Sequence, residues 1–180
     1  MRSYWSFHRR IKMRRRLKMN RDRTSRRLPV FMSFVVGLIL TIMPLPEAIE
    51  AFRPNWLAML VIFWAMQLPH TWSVGTAWIV GIILDVSQGT LLGQHALALC
   101  CVAFIIVRFH LLMRVFPIPQ LTAAVFPILA MYQFLLFWIN GVAGVDAPLI
   151  VYWGPIISST ALWPVVIILL SNLRYGKRSG

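Results

Sequence analysis

Acidic residues are the scarcest chemistry in this chain. Only five of its 180 residues are Asp or Glu: Asp22, Glu47, Glu50, Asp85 and Asp146. A protease that works inside a membrane through paired carboxylates needs two facing acids that share a proton, and only Asp85 lies within a long apolar segment. Cysteine is nearly as rare. Cys100 and Cys101 are neighbours in an apolar run, and adjacent side chains on a helix point in different directions, so the pair reads as packing and not as a structural disulfide. The four histidines, His8, His70, His95 and His110, are far apart, which argues against a shared metal site. No G-x-S-x-G elbow, H-E-x-x-H pair, Walker A loop or dinucleotide fingerprint occurs. The polar loops are too short to fold a catalytic domain. No enzyme and no cofactor are expected.

What the chain does have is apolar sequence. Apolar residues make up 59% and charged residues 13%, too little charge to cover a soluble domain. Several runs approach the roughly 20 residues that cross a bilayer as a helix, and the alternating segments of a barrel are missing. The reading is an all-α polytopic membrane protein with six transmembrane helices in one bundle. A basic arm spans 1–27, the helical domain 28–173 and a short basic tail 174–180. Helices are expected at about 28–44, 54–68, 73–88, 91–114, 120–142 with Pro127 as a kink, and 154–172.

The net charge of +13 is unevenly placed, with twelve of the 18 Lys and Arg in the first 27 residues. Arg14, Arg15, Arg16, Arg26 and Arg27 are the core of that arm. A basic flank holds the first helix in the cytoplasm, and each cation near an anionic lipid surface adds about 1 kcal/mol. A protein partner is an alternative reading. No nucleic-acid-binding module accompanies the arginines, so nucleic acid is not expected. The arm is too long for a signal peptide, and more apolar segments follow, so the first helix reads as uncleaved; a mitochondrial transit peptide is a minor alternative. With six crossings and both termini inside, every basic residue except Arg53 falls on the cytoplasmic side, and Glu47, Glu50 and Asp146 fall outside.

Arg53 to Gly93 organises the rest. The stretch reads as two short apolar helices joined at Pro69-His70-Thr71-Trp72. At 1.5 Å per residue, about 15 residues cover roughly 23 Å of a core about 30 Å thick. Such a hairpin either thins the bilayer or marks a transporter-like cavity. Ala77, Gly81, Asp85, Gly89 and Gly93 recur at every fourth position. Small residues at that spacing let another helix approach closely, which puts Asp85 on a packing face, holding the outer turn or a partner helix; a ligand, ion or proton site and an exposed place at the helix end are the alternative readings. Arg53 and Asn55 are the polar residues expected at similar depth.

The residues Arg53-Pro54-Asn55-Trp56, Leu68-Pro69-His70, Val74-Gly75-Thr76, Gly81 with Ile83-Leu84-Asp85, Gly89 with Leu92-Gly93, and Leu162-Trp163-Pro164 together resemble the MreD family of rod shape-determining proteins. The resemblance covers about 30–175. It implies an inner-membrane scaffold of the cell-elongation machinery, with MreC as direct partner and MreB, RodZ, the polymerase RodA and its transpeptidase in the same assembly. It also implies a fold resembling the six-helix substrate-binding components of vitamin uptake transporters. A small-molecule-binding transporter component is therefore the competing reading, set against the few polar groups available to line a cavity: Thr41, Gln67, Thr76, Gln133, Asn140, Ser158 and Ser159. Under the scaffold reading, Gly81→Leu or Asp85→Leu is expected to weaken association with MreC.

Overall fold

The computed structural model describes residues 28–44, 46, 50–69, 71, 73–145 and 149–175. The basic arm with Arg14, Arg15, Arg16, Arg26 and Arg27, the acids Asp22, Glu47 and Asp146, His70, and the end of the tail lie outside these residues. The described chain is all-helical. Its six helices are α1 at Leu28–Ile42, α2 at Trp56–Gln67, α3 at Val74–Gln88, α4 at Gln94–Val115, α5 at Ile118–Val142 and α6 at Leu149–Tyr175. By length and composition α4, α5 and α6 are able to cross a membrane, while α1, α2 and α3 are shorter apolar helices.

The architecture follows from α2. Its sequence, WLAMLVIFWAMQ, is apolar on every side, and a helix with no polar face belongs in an interior. Every residue from Leu57 to Met66 is buried. At 12 residues α2 is about 18 Å long, roughly two thirds of a hydrocarbon core. It is therefore a central post with other helices around it. α4 packs on α2, α3 and α5, and α6 packs on α2 and α5. α1 joins α2 through Trp64, whose indole donates to Ser33 Oγ at 2.9 Å. Trp163 of α6, fully buried, completes the core.

The outer surface is apolar. Phe31, Ile39, Trp78, Phe104, Phe134, Trp138 and Ile168 are all exposed. A soluble protein would hide such a girdle, whereas hydrocarbon solvates it. α6 begins earlier than its sequence suggests and runs through Pro155 and Pro164. Proline removes one backbone hydrogen bond, which an apolar helix tolerates where neighbours pack against it. Gly154 permits that packing here: a Cβ on it would collide with the carbonyl oxygen of Ala51.

Candidate functional site

The i+4 row starting at Ala77 divides at the end of α3. Ala77, Gly81 and Asp85 are buried on one face. α4 of the same chain covers that face. A Cβ on Gly81 would run into the backbone N and Cα of Ala96 and lie 2.9 Å from its Cβ. Gly89 and Gly93 sit beyond the last helical residue, with φ of 64° and 98°, and a Cβ on either would meet open space. They serve the turn into α4, where a left-handed backbone favours glycine. The difference from the sequence reading arises because the period continues past the residue at which the helix stops.

Asp85 is 1% exposed and its carboxylate lies against the start of α4. Its Oδ2 accepts from Gly93 N at 2.8 Å and more weakly from Ala96 N at 3.4 Å. Its Oδ1 accepts from His95 N at 2.9 Å, and Thr90 Oγ1 lies at 3.2 Å. The first N–H groups of a helix have no partner within it, and the macrodipole favours an anion there. The residue at the capping position is Gly93, which offers no side-chain oxygen. Asp85 does from the preceding helix what Ser or Asp would do locally. His95 Nδ1 lies 2.8 Å from the same Oδ1. An ionised carboxylate only accepts, so Nδ1 carries the proton and Nε2 is turned away from Asp85.

Two arginines cap the opposite poles of other helices. Arg53 Nη1 donates to Thr41 O at 2.6 Å and Nη2 to Met43 O, closing the C-terminus of α1. Arg114 Nε donates to Met66 O at 2.9 Å and Nη2 to Gln67 O at 2.5 Å, closing the C-terminus of α2. Cations at helix C-termini complement the dipole as the anion does at the N-terminus of α4. Asn55 ties three helices: its N–H donates to Ser159 Oγ of α6 at 2.8 Å and its Nδ2 to Gln133 Oε1 of α5 at 3.2 Å.

Arg53, Asn55, His95 and Gln133 line a cavity of about 240 Å³ together with Glu50, Gln88, Tyr132 and the start of α2. Arg53, Asn55 and the partner of Asp85 thus meet at one end of the bundle, where α3 gives way to α4. Sequence reading counted few polar groups for such a cavity because it looked for them within the spans. Thr41 and Gln133 do contribute, but most of the polar lining comes from the α1–α2 connection and from helix ends. Tyr132 carries no local motif that marks it, and Ser159, a polar group expected to line a cavity, instead accepts from Asn55 N across more than a hundred residues. Arg114 carried a signal in its place in the last turn of α4, but its acceptors are on α2.

Among the described residues no group of three or more His, Cys, Asp or Glu side chains is placed to hold a metal ion. Among the described residues, Asp85, Arg53 and Arg114 each close a helix end. No solved structure matches the chain. The rod shape-determining protein MreD of Haemophilus influenzae is 26% identical over 144 residues, covering 78% of this chain and 87% of the relative. The family model described as rod shape-determining protein MreD matches residues 22–173. The apolar helical bundle is thus matched over most of its length by a family of membrane proteins with a structural role in shape, and the chain belongs to the MreD family of rod shape-determining proteins.

Proposed function

We propose that this chain is a six-crossing scaffold of the cell-elongation complex in the bacterial inner membrane, with both termini in the cytoplasm. It holds MreC and the peptidoglycan synthases, RodA with its transpeptidase, in register with MreB on the cytoplasmic side, with RodZ in the same assembly. The observation that carries this reading is membership of a rod shape-determining family. The placement of basic residues supports the orientation, and anionic headgroups suit the basic arm.

The buried face of α3 is already occupied by α4, so contact with MreC falls to outward apolar residues such as Trp78 and Ile79 of α3 or Phe134 and Trp153 at the α5–α6 groove. The test is site-specific photocrosslinking from these four positions in cells, with co-purification of MreC from detergent extracts. A crosslink to MreC from one pair, and loss of MreC when that pair is replaced by Ala without change in thermal unfolding, is expected. Wild-type protein that neither crosslinks to nor retains MreC overturns the scaffold reading.

The cavity of about 240 Å³ favours a second reading, a small-molecule-binding transporter component. That reading requires uptake of a solute into vesicles holding the purified chain. Rod shape restored by a variant without uptake would set it aside.

A further inference from the structure

The cavity at the Arg53 end of the bundle holds more hydrogen-bonding capacity than the protein itself satisfies. The first backbone bond of α2 runs from Met59 N to Asn55 O at 3.0 Å. The N–H groups of Leu57 and Ala58, which precede it, have no acceptor among the described residues, and both residues line the cavity. The capping residue Asn55 does not close this end with its side chain, and the first turn of α2 contains no acid. The ends of α1, α2 and α4 described above are each capped by a charged side chain, whereas the N-terminus of α2 opens on space.

Three side chains converge on the same space. Tyr132 lines the cavity and is only 2% exposed, yet its hydroxyl makes no hydrogen bond among the described residues. Arg53 Nε is buried and likewise has no acceptor, although both terminal nitrogens of that guanidinium are engaged. His95 is 7% exposed. Its Nδ1 is held by Asp85, which leaves the Nε2 lone pair for whatever enters. A donor buried without a partner is unfavourable, so the buried Arg53 Nε, beside the Tyr132 hydroxyl and the first N–H groups of α2 in one roomy site, points to a missing acceptor. Two acids stand nearby. Asp85 has both oxygens turned to the start of α4, and Glu50 is exposed at the mouth and makes no ion pair with Arg53 among the described residues.

We propose that this cavity binds a phosphate or carboxylate group that carries a neighbouring hydroxyl. The anion accepts from Leu57 N, Ala58 N, Arg53 Nε and Tyr132 OH, at the positive pole of α2. The hydroxyl donates to His95 Nε2. A polyol phosphate fits the volume, either as a free metabolite or as the headgroup of an anionic lipid reaching in from the bilayer surface. The inference does not depend on the scaffold reading, because a bound headgroup would complete the bundle whichever partners it holds.

The probes are sn-glycerol 3-phosphate in solution and phosphatidylglycerol in nanodiscs, with phosphatidylcholine nanodiscs as control. Full-length protein is examined by native mass spectrometry and thermal unfolding, beside Tyr132→Phe. That substitution removes only a hydroxyl that makes no hydrogen bond among the described residues, so the variant folds and unfolds as wild type when no probe is present. Binding of the soluble probe, weakened roughly tenfold by Tyr132→Phe, supports the site and a free ligand; one hydrogen bond to a charged group is worth a factor of that order. Selective retention of phosphatidylglycerol, weakened to the same degree by Tyr132→Phe, supports a lipid source. Failure of both probes to bind overturns the proposal. So does binding that Tyr132→Phe leaves unchanged, or a cavity filled instead by an acidic side chain of a co-purifying protein.

Discussion

At the scale of single residues, Gly81 and Asp85 act within the chain. Gly81 is where α3 touches the backbone of α4, and even one methyl group there meets Ala96 N and Cα. Gly81→Ala should destabilise the bundle by about 1–3 kcal/mol, the usual range for overpacking. Ala96→Gly should not rescue it, since the colliding atoms are backbone. Thermal unfolding of the single and double variants in detergent checks this, and full rescue would mean that the contact is between side chains. Asp85→Leu strands the N–H groups of Gly93 and His95 together with the ring N–H of His95. A loss of about 3 kcal/mol is expected at the least, from buried donors left unpaired. Asp85→Asn keeps one accepting oxygen and should lose less. Reduced association with MreC in either Leu variant would then track lost folded protein, not a lost contact. An acid in an apolar helix, four residues after a packing glycine, is legible in the sequence as a residue holding the outer turn or a partner helix; which N–H groups it accepts from is not, because the donors belong to a turn whose path depends on Gly89 and Gly93 taking positive φ.

At the scale of elements, α2 explains why the helices were legible and their relations were not. Pro54 before it and Pro69 after it bound the run, and observed ends fall within two residues of the expected 54–68. Nothing in WLAMLVIFWAM says which helix lies on which side, since every face is equally apolar. The neighbours are set by polar contacts distant in sequence, such as Ser159 to Asn55 and Arg114 to the last carbonyls of α2. Arg114 reads in the sequence as a topology residue and also closes a helix end. Arg114→Met should therefore lower stability by about 1 kcal/mol, the ordinary size of a cation at an accessible helix C-terminus, while leaving insertion intact because Arg108 remains in the C-terminal half of α4. Arg114→Lys keeps the charge but not the forked geometry and should fall between the two. Thermal unfolding and membrane-fraction yield separate these effects; unchanged unfolding in Arg114→Met would show that its bonds to α2 add nothing.

At the scale of the whole molecule, a central helix of about 18 Å has to be reconciled with a bilayer core of about 30 Å. The caps offer a solution. Arg53 and Arg114 lie at opposite ends of α2, immediately before its start and beside its last carbonyls, and a guanidinium settles at the level of headgroups or water. The short post then has polar ground at both ends, and the bilayer either thins around α1, α2 and α3 or water enters at the Arg53 end, where the cavity lies. The three long helices α4, α5 and α6 are long and apolar enough to span the full thickness. This arrangement requires that the connection after α2 face the same side as the α4–α5 connection, since Arg114 joins them, and that the Arg53 end face the other. The proposed orientation, with the basic residues inside, makes the loop after α5 periplasmic and both termini cytoplasmic. Alkaline phosphatase fused after Gly144 should be active, and the same enzyme fused after Gly180 or after Arg114 inactive. Activity at Gly180 would mean that one of the short helices does not cross, and the odd number of crossings would put the basic tail outside. Deleting residues 2–20 should leave this pattern unchanged if Arg21, Arg23, Arg26 and Arg27 suffice to hold the first helix. An inverted pattern in the deletion would assign the arm to setting topology, and an unchanged pattern with weaker binding to anionic vesicles would assign it to the membrane surface.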